Sequence, residues 1–133
     1  MKEIKSQELE IKKALEMAEE RIESAEVLFK IGNFRDAISR AYYAFFDAAS
    51  AALLSKNIVA KTHHGLVILF DKNFIKTKIF PVKIGRWLAK AKQAREEADY
   101  ERAKEVKPET VEEAIKTAKI FVKEIKRLIE IKK

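Results

Sequence analysis

The residues able to move protons or hold phosphate are few. Histidine occurs only as the adjacent pair His63 and His64, and cysteine is absent. Thiol nucleophiles, disulfides and cysteine zinc sites are therefore excluded. Neighbouring positions on a helix point about 100° apart, and no spaced carboxylate completes a ligand set around the two histidines, so neither a metal nor another cofactor is expected. A Gly-rich phosphate loop, a Ser-His-Asp order and an HExxH sequence are all missing, which sets aside nucleotide kinases, serine-type hydrolases and metalloproteases. What remains is arginine chemistry. Arg95 lies one helical turn before Asp99 and just ahead of Tyr100. Its planar fork can clamp phosphate oxygens while Asp99 orients it. A structural reading stands beside this one: an intrahelical Arg95–Asp99 ion pair, with Tyr100 plugging the end of the bundle.

A second arginine poses the same choice. Asp36, Arg40, Tyr43 and Asp47 recur at spacings of four, three and four, so they share one helix face. That face is either a nucleotide pocket with Tyr43 as stacking platform, or a polar network beside a dimer seam in which the two aspartates neutralise Arg40. The charge map adds a third feature. Net charge is +7, yet residues 1–60 hold nine Lys/Arg against ten Asp/Glu, and residues 96–133 hold ten of each. Residues 61–95 hold nine Lys/Arg against Asp71 alone. Within this segment Lys83, Arg86, Lys90 and Gln93 form one outward stripe, backed by Lys76 and Lys78, which would attract phosphates or an acidic protein partner. Lys61, His63 and His64 stand near a predicted helix start, where backbone N–H groups favour phosphate.

Positioning these groups falls to helices. Only three glycines and two prolines interrupt the chain, without linker or repeat. A first helix over about 4–31 carries Ile11, Leu15, Ala18, Ile22, Ala25 and Phe29 as one apolar stripe, ended by Gly32-Asn33. Asn33 is placed to cap a second helix running to about Ser55. Its core stripe is Phe34, Ile38, Ala41, Phe45, Ala48 and Ala52, and Tyr43 and Phe46 extend apolar surface around the cylinder, the mark of a central helix. Thr62 caps a short third helix to about residue 73, and a loop holds Phe74 and Phe80. Pro81 opens a fourth helix with Ile84, Trp87, Leu88 and Ala91 inward. The last helix begins near Pro108 or at the Thr110–Glu113 capping box and repeats the rhythm of the first through Val111, Ile115, Ala118, Val122, Ile125 and Ile129. The expectation is an all-α, up-and-down bundle of about five helices in one domain, its terminal helices antiparallel around the central one.

Three segments in order carry a resemblance. Ser39-Arg40-Ala41-Tyr42-Tyr43-Ala44-Phe45-Phe46 is followed by Lys61-Thr62-His63-His64-Gly65 and Phe70, then by Arg95-Glu96-Glu97-Ala98-Asp99-Tyr100. Their succession resembles the small stand-alone prokaryotic subgroup of the HEPN family (higher eukaryotes and prokaryotes nucleotide-binding). The resemblance implies a helical bundle that commonly homodimerises, association with RNA or nucleotides, and pairing with a small nucleotidyltransferase in toxin-antitoxin modules. In catalytic members, metal-independent ribonuclease activity rests on an Arg, a polar residue and, after a short spacer, a His. Here Tyr100 stands where that His is expected. A His titrating near ~6.5 can act as acid or base, whereas a Tyr near ~10 is a poor base at neutral pH. The candidate catalytic set is accordingly Arg95 with Tyr100 or with His64, a displaced base beside Gly65. The candidate RNA or nucleotide contacts are Arg40, Tyr43, Lys61, His63, Lys83, Arg86 and Lys90. The alternative is a non-catalytic dimer that joins a partner protein through its Tyr43 and Phe46 side.

Composition points to the cytoplasm: no apolar N-terminal stretch or membrane span is seen. The 37% of charged residues and the wealth of Lys, Glu and Ile resemble thermophile proteins.

Overall fold

A computed structural model describes residues 2–132 and the side chains of residues 6–130. The elements are α1 (Lys2–Lys30), α2 (Phe34–Leu54), α3 (His63–Phe70), α4 (Val82–Tyr100) and α5 (Pro108–Lys132), with no strand among the described residues. The all-α bundle is the one the apolar spacing requires. No described helix is long and apolar enough to cross a membrane.

The chain reverses after α1 because Gly32 adopts φ +80°, a conformation that costs glycine least. Two backbone bonds close that turn, Asn33 N–H to Leu28 O at 2.8 Å and Gly32 N–H to Phe29 O at 3.1 Å, the pattern of a Schellman stop. Asn33 does not cap α2 with its side chain, contrary to expectation. Its backbone sits at φ −89°, ψ 72°, outside the extended geometry that aims a cap at the helix. Instead Nδ2 donates to the Asp36 carboxylate at 3.0 Å.

Helix α2 is the axis of the bundle and packs against all four other helices. Ala37, Ala41, Ala44, Ala48, Ala49, Ala51 and Ala52 are buried on it, and these small side chains let neighbours approach from several directions. Helices α1 and α5 flank it and run antiparallel to one another, as the pairs Glu26–Lys119 (2.9 Å) and Glu19–Lys126 show by their opposite order. These surface pairs contribute little. The stability lies in the stripes beneath: Ile11, Ala18, Ile22 and Ala25 on α1, Val111, Ala118, Val122 and Ile125 on α5.

Thr62 caps α3 as expected, its hydroxyl accepting from Gly65 N–H at 2.8 Å. The loop expected from Phe74 starts later and keeps Phe80, because the helix runs on through a π turn, Asp71–Ile75, which inserts one residue into the helical ladder. Asn73 secures it by donating to Leu69 O at 2.8 Å, and Lys56 secures it by donating to Asn73 O at 2.8 Å. The turn swings Phe74 into the core, where Phe70, Phe74, Phe80 and Phe121 form an apolar aromatic cluster with centroids 5.0–6.2 Å apart. Helix α4 crosses this turn closely. A Cβ at Gly85 would lie 3.0 Å from Ile75 Cγ1, so a larger residue there would require the Ile75 side chain to shift by a few tenths of an ångström.

The far end of α4 is held from α2. Arg35 donates to the carbonyl of Ala98 in the last turn of α4 and to those of Arg102 (3.3 Å) and Lys104 (2.7 Å) in the loop that follows, satisfying a helix-end acceptor and tying down the loop. This staple fixes the last turns of α4, and with them Arg95, against the tyrosines of α2.

Candidate phosphate-binding site

Tyr42 is four residues after Ile38 and three before Phe45, so the helical period turns its ring into the core. The residue is fully buried, and its hydroxyl needs a partner. The first residue of α3 supplies it: the hydroxyl lies 2.6 Å from His63 Nδ1. Burial raises the Tyr42 hydroxyl pKa to about 12 against the lowering pull of Arg95, so it keeps its proton at neutral pH. With no other acceptor among its described contacts, Tyr42 donates to Nδ1. Neutral His63 then carries its own proton on Nε2. Burial lowers the His63 pKa below its ordinary value, and the cations Arg95 and Lys92 lower it further.

The His63 ring packs on Phe46 at 4.6 Å between centroids and meets Tyr43 edge-on at 6.0 Å. Arg95 arrives from α4. Its guanidinium carbon stands 5.5 Å from the Tyr42 ring and 5.4 Å from the Tyr43 ring, a double cation–π contact. Nη2 donates to the Tyr43 hydroxyl at 3.3 Å, which is long for a hydrogen bond. Nε pairs with the Asp99 carboxylate at 2.9 Å, and Nη1 has no partner among the described residues. Lys92 pairs with Glu96 alongside, and that bond holds the Glu96 carboxyl below its usual range. On the other side of Tyr43, Arg21 lies 5.6 Å from the ring and its Nε donates to Asp47 at 3.3 Å. Burial raises the Asp47 pKa despite this bond.

Of the residues picked out in the sequence, Arg95, Tyr43 and His63 come together here. Arg40 is exposed and lies across Tyr43, in a cleft between α1 and α2. The aspartates on its face do not neutralise it as expected, because Asp47 pairs with Arg21 and Asp36 accepts from Asn33. Lys61 and His64 are exposed at the start of α3, with no hydrogen bond or ion pair among the described residues. Tyr100 is 82% exposed and therefore does not plug the bundle end. The Arg95–Asp99 ion pair of the structural reading does form, at the same time as the tyrosine contacts. Lys83, Arg86 and Lys90 are exposed along α4 and make no ion pair among the described residues. Lys83 covers the Trp87 ring at 5.8 Å, while Lys90 borders a groove shared with Glu109 and Glu113 of α5.

Comparison with known proteins bears directly on this constellation. The HEPN domain model matches residues 11–128, which takes in both tyrosines, His63 and Arg95. The chain belongs to the HEPN domain family. Among its relatives is the Methanocaldococcus jannaschii protein named "Putative toxin MJ0605", 37% identical over 91% of this chain and 90% of that protein. A second from the same archaeon, "Putative toxin MJ0142", is 34% identical over 90% of this chain and 82% of its own length. A "UPF0332 protein" of Thermotoga maritima is 32% identical over 85% and 86% respectively.

Within this HEPN chain, the site contains residues that motif reading passed over. Tyr42 was visible only as part of a string, yet a hydroxyl on the Ile38–Phe45 core stripe announces a buried polar partner. Arg21 borders the α1 stripe between Ala18 and Ala25, a cation beside small buried residues. Lys92 left no comparable signal: its role follows from its place one turn before Glu96, facing His63.

Chemically the arrangement presents donors. Arg95 offers guanidinium N–H groups held by two rings, and His63 offers Nε2–H. Phosphate oxygens are the natural acceptors for such a set.

Proposed function

We propose that this HEPN protein is the RNA- or nucleotide-binding component of a toxin-antitoxin pair. In this reading Arg95 and His63 hold a phosphate, Tyr43 and Phe46 give an aromatic wall for the adjoining base, and the α4 face of Lys83, Arg86 and Lys90 draws the strand in. The observation that carries the reading is the Arg95 guanidinium, which rests on two tyrosine rings, pairs with Asp99 through Nε and keeps Nη1 without a partner among the described residues. An arginine held on aromatic faces with donor capacity left over suits a phosphate. The names of the two Methanocaldococcus relatives support the toxin role.

Anisotropy of a labelled oligoribonucleotide, titrated at several salt concentrations, tests it. Arg95→Ala should weaken binding about tenfold or more, as expected for losing hydrogen bonds to a charged group. Equal affinity of parent and variant at every salt concentration would overturn the reading.

Metal-independent RNA cleavage is a second reading favoured by one observation. Burial, Arg95 and Lys92 keep His63 unprotonated near neutrality, the state a general base requires. Cleavage needs the ring to free a nitrogen toward the 2′-hydroxyl, the reverse of the tautomer that Tyr42 favours. Incubating RNA with the protein in chelator separates the two: His63→Ala should abolish cleavage if the ring is the base. The Tyr43 and Phe46 side also suits a protein partner such as a small nucleotidyltransferase, and the chain could present it as a homodimer. Light scattering and co-purification with the product of an adjacent gene test both.

A further inference from the structure

The cleft between α1 and α2 is separate from the Arg95–His63 corner but shares a wall with it. It has a volume of about 420 Å³ and is lined by Arg21, Leu28, Asp36, Ser39, Arg40 and Tyr43. That volume lies within the range of small-molecule pockets. Tyr43 is the common wall, with the guanidinium carbon of Arg95 5.4 Å and that of Arg21 5.6 Å from the same ring centroid. Occupants of the two sites would therefore be neighbours.

The cleft's chemistry is mixed in an informative way. Arg21 spends only Nε on Asp47, leaving its terminal nitrogens without a bond among the described residues. Arg40 makes neither hydrogen bond nor ion pair among those residues. Ser39 adds a hydroxyl, and Leu28 adds an apolar side. Asp36 contributes the cleft's carboxylate, with one oxygen bonded to Asn33. Formal charge is balanced, Arg21 and Arg40 against Asp36 and Asp47, so attraction there depends on directed groups and not on net charge. Phosphate and peptide carboxylate alike repel Asp36, but a ribonucleotide also brings ribose hydroxyls, which can donate to that carboxylate while the phosphate takes the free guanidinium donors.

We propose that the α1–α2 cleft is a second ribonucleotide subsite, adjacent across Tyr43 to the Arg95 site, so that the protein grips two consecutive nucleotides of one RNA strand. The inference rests on the phosphate-binding reading of Arg95 and His63. Arg40 and Arg21 hold the second phosphate, Asp36 accepts from the ribose, and Tyr43 separates the two units.

Calorimetric titration of the full chain with AMP, the ribodinucleotide pApA and its deoxy counterpart tests the proposal. The dinucleotide should bind roughly tenfold tighter than AMP, because the second contact is made within one molecule. Arg40→Gln, at an exposed position without structural partners, should cost pApA about fivefold and AMP less than about twofold. Asp36→Asn should narrow the preference for ribo over deoxy. Arg21→Gln strips Asp47 of its partner and can disturb the fold, so Arg21→Lys, which keeps the charge and loses the fork, serves as the second variant with the same expected pattern. Equal affinity for AMP and pApA, or an Arg40→Gln loss shared by both, would overturn the second subsite while leaving the Arg95 site standing. Failure of AMP and pApA alike to bind the parent protein would overturn both. Displacement of pApA by oligoglutamate of equal charge would also overturn it, since a general anion surface would then suffice.

Discussion

Two groups of aromatic rings meet in one core around α2 and were built to different ends. Phe70, Phe74, Phe80 and Phe121, joined by Phe45 at 4.9 Å from Phe121, contain carbon alone and are buried throughout. Tyr42, Tyr43 and Phe46 have similar ring density, but His63 and Arg95 are threaded among them. The first cluster gains from excluding water and demands nothing more. The second carries a hydroxyl, an imidazole and a guanidinium whose hydrogen-bonding capacity the protein does not exhaust. Similar ring content thus gives stability in one place and a binding surface in the other, the difference being whether the enclosed polar groups are satisfied internally.

The contrast can be broken most forcefully from the apolar side. Phe121→Ala should lower unfolding free energy by about 3–5 kcal/mol through lost burial and a cavity, read by thermal or denaturant melts. Arg95→Ala should do the opposite: a melt shifted by no more than about 1 kcal/mol, with an RNA affinity loss of about 2 kcal/mol. A large stability loss in Arg95→Ala with unchanged binding would make the polar cluster a structural one. Arg95→Lys should fail to restore affinity, since a point charge cannot reproduce the stacked fork.

Replacing Lys83, Arg86 and Lys90 together by glutamine should reduce the slope of log affinity against log salt by about 2, near 0.7 for each lost phosphate contact on a single strand. The melt should not move measurably, because these side chains are exposed and unpaired among the described residues. An unchanged slope would take the α4 face out of the binding surface. Tyr42→Phe should cost about 1 kcal/mol of stability, the net worth of one hydrogen bond. It should also let the His63 pKa rise, because the neutral ring loses its donor, which imidazole NMR would follow.

The smallest effect concerns acid. His63 titrates below its ordinary 6.5 in the folded chain, so the unfolded chain takes up that proton first as pH falls. Its contribution to stability is complete above pH 6.5 and is lost as pH drops from there through the folded value. His63→Gln should flatten this part of the pH–stability curve, and an unaltered curve would show that the ring is not held neutral.

Much of this architecture is readable from spacing alone. Stripes such as Ile11-Leu15-Ala18-Ile22-Ala25 and Val111-Ile115-Ala118-Val122-Ile125 specify two long amphipathic helices, because a period near 3.6 leaves a single face to bury. Helix α2 declares itself central because Tyr43 and Phe46 add apolar surface beside its Phe34–Ala52 stripe, and Thr62 and Pro81 mark helix starts through local backbone chemistry. The π turn escaped, since Asp71–Ile75 has no breaker residue; it is secured by the local Asn73 bond to Leu69 O together with the burial of Phe74 and the Lys56 bond, and the last two are long-range effects. The Asn33 cap was misjudged because residue type allows a cap but backbone torsion decides whether one forms.

For the site, the sequence supplied the parts and could not say which met. It determined the helices, the cationic surplus of residues 61–95, and the presence of Arg40, Tyr43, His63, His64 and Arg95 at helical positions. Only the tertiary structure chose His63 over its neighbour His64 as the ring facing Tyr42, exposed Tyr100, and set Arg21 and Arg95 on either side of Tyr43. The physical reason is the reach of each constraint. Helical periodicity and capping act over a few residues, whereas the choice between adjacent histidines depends on the angle at which α3 docks on α2, which is set by packing across the whole bundle.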